Sequence, residues 1–162
     1  MKIFVISDTH FHHQNVIQYA NRPFKTAEEM DEEMIKRWNK VVGKEDIVFH
    51  LGDFALWDED EIKKLRQRLN GTIFLFRGNH DHRKKVDNAG FIIIEGTLEM
   101  DNLIFSHYPL TKEEIPKGFI NIHGHIHAKD SYYGINVSVE RIDYTPIPLE
   151  KVKYIKAQNL HF

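Results

Sequence analysis

The chain has 162 residues, of which 41% are hydrophobic and 28% charged, enough apolar content for one packed domain over residues 1–162 and too much for a disordered chain. Lys and Arg number 22 against 24 Asp and Glu, a net charge of −2, which excludes a nucleic-acid binder working through bulk positive charge but not one with a local basic patch. With no Cys and 11 His, a thiolate nucleophile, a Cys-held metal and any disulfide are excluded, and a metal site would have to combine His with Asp, Glu or Asn.

The N-terminus enters a strand-like segment at once, with no signal peptide, and no apolar run approaches the ~18 residues of a membrane span, so the expected location is cytoplasmic. Short Ile/Val/Phe-rich runs predict strands at Lys2–Ser7, Asp46–Leu51, Thr72–Arg77, Phe91–Thr97, Leu103–His107, Phe119–His123 and Ile135–Val139. Thr26-Ala27-Glu28-Glu29 is a capping box, followed by Met30, Met34, Trp38 and Val41 near helical spacing. Asp58–Leu69 is a charged helix with Ile62, Leu65 and Leu69 on one face, stopped by Asn70-Gly71. Short helices are expected over Arg83–Ala89 and after Pro148. Strand–helix–strand order in the first half favours parallel pairing through crossovers. The second half reads as strands joined by short turns, with a hairpin at Asp101-Asn102 between Leu98–Met100 and Leu103–His107. Together these predict an α/β fold, a four-layer α/β/β/α sandwich with mixed sheets.

The polar residues stand at strand ends. Asp8 and His10 follow the first strand, Gly52-Asp53 the second, and Gly78-Asn79-His80-Asp81 the third. His107 ends the Leu103 strand, and His125-Ile126-His127 follows the Phe119 strand. Ligands of open α/β sheets bind outside the carboxyl ends of strands, so these loops are expected to share one rim. Each block alone has a plainer reading: Asp8-Thr9-His10 as a capped turn, Gly52-Asp53 as an ordinary strand exit. His125-Ile126-His127 on an extended segment would point two imidazoles to one side, to chelate one metal or bridge two.

In this order the blocks resemble the calcineurin-like metallophosphoesterase superfamily, whose pattern is Asp-x-His, Gly-Asp, Gly-Asn-His-Asp/Glu, a lone His and Gly-His-x-His. The opening Asp8-Thr9-His10-Phe11 with Asn21-Arg22-Pro23-Phe24 is similar to its short, uncapped prokaryotic and phage-type members. The resemblance implies two divalent metal ions, one on Asp8, His10 and His127, the other on Asn79, His107 and His125, with Asp53 bridging. Manganese is the foremost expectation, with iron, zinc or nickel as alternatives. It implies hydrolysis of phosphate esters, mono- or diester, by in-line attack of a metal-bridging hydroxide. His80 would be the general acid, its tautomer fixed by Asp81 or a backbone carbonyl. Family protein phosphatases carry a second Asp three residues after the bridging one; here that position is Leu56.

Among the remaining residues, His12, His13, His82 and Arg22 are candidate substrate contacts, and Arg77 and Arg83 join Arg22 as phosphate candidates by charge, although for each of these three a solvated surface Arg is the plainer reading. His50 and His123 are expected behind the metals or facing away, Trp38 and Trp57 in packing, and His161 has no assignable role. The chain leaves little room for a cap, so an open site for a small or flexible phosphoester is expected, with no membrane partner. Two alternatives stand beside this: a nuclease or RNA-end phosphoesterase, which the charge does not favour, and a non-catalytic metal-binding interaction scaffold, which would be expected to have lost His80 or a ligand.

Overall fold

The computed structural model describes residues 1–159, with side chains through Ile155; His161 lies outside them. In chain order the elements are β1 (Ile3–Ile6), α1 (Gln14–Tyr19), α2 (Ala27–Val41), β2 (Ile47–His50), α3 (Glu59–Arg68), β3 (Thr72–Phe76), α4 (Arg83–Val86) and β4 (Ile92–Ile94). There follow β5 (Leu98–Met100), β6 (Leu103–Ser106), β7 (Ile120–His123), β8 (Gly134–Asn136), a 3-10 turn (Val139–Arg141), β9 (Ile147–Pro148) and α5 (Leu149–Asn159).

Two mixed sheets result, ordered β4-β3-β2-β1-β9 and β5-β6-β7-β8. The strand–helix–strand alternation of the first half gives the expected parallel ladders, with Ile3 opposite Ile47 and Ile47 opposite Thr72. Alternation along β2 decides what lies on each face. Phe49 meets Phe105 of β6 at 5.1 Å between ring centres, so the sheets pack face to face. His50, one residue on, stacks under Trp38 of α2 at 6.5 Å, on the helix-covered face. The helices α2 and α3 bury Met30, Met34, Trp38, Ile62 and Leu65; α2 begins at the predicted capping box, where Thr26 accepts from the Glu29 amide, and α3 follows Asp58, which accepts from that of Glu61. Val41, expected on the apolar face, is exposed, and Val42 at the end of α2 is buried in its stead.

Two departures matter for the site. Helix α1 was not expected: six residues hold under two turns, too few to display a period, and tertiary burial of Val16 and Ile17 supplies what propensity does not. The second half holds the predicted hairpin, with Asp101 and Asn102 both at positive φ, but β6, β7 and β8 run parallel. Parallel neighbours cannot be joined by tight turns. Their connections, 107–119 and 124–133, are long loops returning past the carboxyl ends of the strands, and they carry His107, His125 and His127.

Candidate metal centre

The carboxyl ends of β1, β2, β3, β6 and β7 present their polar residues on one rim. Among the described residues two groups come within reach of a single ion each: Asp8 with His10 and His127, and Asp53 with His107 and His125. The groups share an edge. Asp53 Oδ2 lies 3.7 Å from His10 Nε2 and 3.5 Å from His107 Nε2, so one carboxylate oxygen faces both. Asn79 Oδ1 sits 3.0 Å from His107 Nε2, on the second group's side. His125 and His127 are divided between the groups, because both take left-handed backbone (φ 72° and 52°) in place of the expected extended segment.

Several parts hold this arrangement. Asp8, His10 and Asp53 also have positive φ, a conformation that costs non-glycine residues energy and persists only where the surroundings enforce it. The enforcement is visible at Gly124, where a Cβ would collide with Ser7 Oγ and Asp8 Oδ2, and at Gly78, where it would collide with Asp53. Asp8 Oδ2 accepts from the His125 amide at 2.8 Å and from the Ser138 hydroxyl at 3.0 Å, tying β1 to the β7 and β8 loops. Asp53 Oδ1 accepts the His80 amide at 2.9 Å, leaving Oδ2 for the histidines.

Ring tautomers follow from the outer hydrogen bonds. His107 Nδ1–H donates to the Leu51 carbonyl at 2.6 Å, and His127 Nδ1–H donates to Glu140 Oε1 at 2.8 Å. In both rings Nε2 is thereby the nitrogen that faces the site, where a cation would take the place of its proton. His50, the last residue of β2, accepts the Gly52 amide on Nδ1 and so donates from Nε2 to the Thr9 hydroxyl; burial lowers its pKa to about 3 and keeps it neutral. Burial raises the Asp8 carboxyl and depresses the His10 imidazole far below its usual value. Burial would also raise Asp53, but the His107 hydrogen bond and charge, the His80 amide and His10 together hold it well below the carboxylate range.

The residues fit divalent cations. Asp8 Oδ1 and His10 Nε2 are buried without any hydrogen-bond partner, and orphaned polar atoms of this kind are rare because each costs ~1–3 kcal/mol. They lie 3.8 Å apart in the same group. A cation would satisfy both, and a mixed imidazole–carboxylate set suits Mn, Fe, Zn or Ni.

The calcineurin-like phosphoesterase profile matches residues 1–157. The chain belongs to the calcineurin-like phosphoesterase family. It is 43% identical to an uncharacterized protein of Methanocaldococcus jannaschii, covering 93% of this chain and 89% of that one. A crystal structure of a protein of unknown function from Aquifex aeolicus is similar with a TM-score of 0.74 and 27% identity, over 95% of this chain and 98% of that one. The nuclease MPE of Pseudomonas putida shares the fold, with a TM-score of 0.54 and 17% identity over 77% of this chain and 61% of that one.

Within this phosphoesterase the other expected site residues fare differently. Asp81 does not touch the His80 ring: its carboxylate accepts from the backbone amides of Asp53, Phe54 and Gly78 at 2.7, 2.9 and 2.8 Å, clamping the β2 and β3 loops together. The expectation that it orients His80 is therefore corrected. Arg22 is no free phosphate contact either. It is buried, donates to the carbonyls of Asp8 and Thr9 at 2.6 and 2.7 Å, and pairs with Glu140 at 2.8 Å. Arg77 is held by Asp87 and Glu95, and exposed Arg83 stands 3.6 Å from Glu95. His12 stacks on Trp57 at 4.0 Å and turns away, its amide donating to buried Asp31. His82 is exposed at the start of α4. His13 does stand at the site, Nδ1 to Nδ1 3.4 Å from His10, and the His80 ring lies 5.6 Å from that of His10. His123 donates from Nδ1 to the Gly124 carbonyl and accepts from Ser131 on Nε2, so it serves the loop.

Sequence reasoning missed Glu140 and Ser138. Glu140, on the 3-10 turn, is depressed in pKa: burial works against this, but His127 and Arg22 outweigh it. Burial likewise opposes the raised pKa of His127, which Glu140 sustains. No spacing rule links either residue to the ligand blocks, and the one available signal was a carboxylate and a hydroxyl bracketing an apolar valine.

Among the described residues no helix is long and apolar enough to cross a membrane.

Proposed function

We propose that this phosphoesterase hydrolyses small or flexible phosphodiesters at a dinuclear centre, manganese being the foremost metal, in the cytoplasm. The observation that carries the reading is the single Asp53 oxygen between His10 and His107, since only a two-ion site needs one carboxylate oxygen aimed at both groups. Asp8, His10 and His127 would hold one ion, and Asn79, His107 and His125 the other. Two divalent ions so held supply a water of lowered pKa and positive charge for the phosphoryl oxygens. Asn79 contributes a neutral amide oxygen, which limits the negative charge facing an anionic substrate. His80 is exposed at the rim, with its backbone fixed by Asp53, and would protonate the departing oxygen. With Asp81 committed to backbone amides, the orientation of His80 comes from this amide tether and from substrate contact.

The test is a panel of mono- and diesters, cyclic nucleotides included, on protein reconstituted with Mn²⁺, Fe²⁺, Ni²⁺ or Zn²⁺. His80→Ala should retain two metals and lose rate according to leaving group. A p-nitrophenolate, with a pKa of about 7, departs with little help, whereas an alkoxide or ribose hydroxyl needs a proton worth ~10²–10⁴-fold. Equal losses on both would assign His80 to phosphoryl binding, and loss of a metal would make it a ligand.

A further inference from the structure

The metal centre is bordered by a tyrosine on each side. Tyr19, the last residue of α1, meets the His127 ring edge-on at 6.1 Å and the His13 ring at 5.7 Å. Tyr108 lies 4.6 Å from His125 and 4.9 Å from His107. One ring thus flanks each ligand group. A tyrosine serving only to brace an imidazole would be buried against it, yet these keep 60% and 50% of their surface exposed. Large apolar faces left in water beside a reactive centre are poised for a planar group. The backbone of each is anchored: Tyr19 by its helix, and Tyr108 through its carbonyl, which accepts from the Ser106 hydroxyl at 2.6 Å.

Beside Tyr19 opens a cleft of about 470 Å³ that shares His125 and His127 with the metal centre and adds Asn21, Ile126 and the cation of Lys129. That is ample for a nucleoside. The cleft thus adjoins the place where a phosphoryl group held by the two ligand groups would lie.

We propose that the substrate is a phosphodiester of single-stranded nucleic acid, the base on one arm stacking on Tyr19 and the base on the other on Tyr108. A diester has two arms, and the site offers one exposed ring for each. Bases already stacked and paired in a duplex are not available to either ring. Stacking tolerates any base and is worth about 5- to 150-fold in binding per base, which also answers the charge objection: at a net charge of −2, affinity for a strand must come from rings and local contacts. This rests on the phosphodiester reading above and specifies its substrate class.

The experiment uses the full chain loaded with Mn²⁺ and three substrates: a thymidine dinucleotide and its two analogues abasic on one side or the other. The dinucleotide is expected to exceed each analogue in kcat/KM by about 5- to 150-fold. Tyr19→Leu should collapse the discrimination on one arm and Tyr108→Leu that on the other, while Tyr→Phe at either position restores it. A longer oligothymidylate cleaved faster than the dinucleotide identifies an extended strand as substrate; equal rates identify the dinucleotide. Abasic analogues cleaved as fast as the dinucleotide, or a duplex cleaved as fast as the strand, overturn the proposal while the phosphodiesterase reading stands. If no ester is cleaved, that reading fails, and the Kd values of the same three ligands decide the subsites: base-dependent binding lost in the leucine variants supports them, and base-independent binding overturns them.

Discussion

The two halves of the metal centre differ in what stands behind their histidines. The first half, Asp8, His10 and His127, is buried at its core, with Asp8 0% and His10 3% exposed. Its His127 leans on the Glu140 carboxylate, itself braced by Arg22. The second half, Asp53, His107 and His125, has only the Leu51 carbonyl behind His107, and its extra oxygen donor is the neutral amide of exposed Asn79. The first half has Asp8 to itself and shares Asp53; the second has Asp53 alone. The two groups are equally buried, but more negative charge and a carboxylate-backed imidazole favour a cation in the first half. In the second half Asn79 is exposed, so substrate would reach that half from the rim.

The largest effect should come from the residue common to both halves. Asp53→Asn keeps an acceptor for the His80 amide but turns an amide nitrogen, which cannot ligate, toward His10 and His107. Both sites should weaken together, by more than the ~10–100-fold typical of losing an outer partner, with activity lost in parallel. Elemental analysis reads this, and two metals retained at wild-type affinity would break the bridging assignment. Glu140→Gln should separate the halves. It preserves an acceptor for His127 Nδ1–H but removes the charge, so the first site should lose ~10–100-fold in affinity with the second little changed. Equal weakening of both would erase the asymmetry; the melting temperature of the metal-free variant shows whether Arg22, left with a neutral partner, has perturbed the fold.

Metal removal comes next. At a hundredfold excess over its Kd, bound metal should add ~3 kcal/mol per site to stability. For a domain of this size that is roughly 6–12 °C in Tm, measurable by calorimetry with and without chelator. The metal-free chain should stay folded at room temperature on its apolar core, and unfolding there would refute that.

The smallest effect lies outside both halves. Burial, reinforced by Glu28 and Glu32 and opposed by the His12 amide, raises Asp31 from 3.8 to about 7. A folded pKa above the unfolded one means the native state favours the proton. The penalty is absent below about pH 4, grows as pH rises toward about 7, and is complete above it. Asp31→Asn should therefore stabilise the protein above neutrality, on the order of 2 kcal/mol, and leave it unchanged near pH 4. An equal effect at both pH values would place the cause in packing. Because His12 is two residues from His10, metal affinity of the same variant shows whether that loop governs the first half-site.

The strand ends and most of the rim were legible because each short apolar run stops at Asp, Asn or His, and β-sheet geometry brings such ends together. The parallel first half followed from element order. Long-range partners were not legible. Arg22 read as a free cation because its bond to Glu140 spans 118 positions. Asp81 read as the orienter of its neighbour because sequence adjacency says nothing of where a carboxylate points, and three backbone amides claim it. The division of His125 and His127 between the groups was an expectation from the family pattern; the left-handed backbone that produces it is what a sequence does not announce outside glycine. Helix α1 was missed for its brevity, and with it the placement of Tyr19.

The most direct test is a metal titration of the chelated chain, following bound Mn²⁺ and hydrolysis of a phosphodiester together. Two equivalents should bind in two affinity classes, with activity rising only as the second, weaker equivalent is taken up. A single equivalent sufficient for full activity, or two bound with no hydrolysis of any diester, would contradict the dinuclear reading of the Asp53-bridged site.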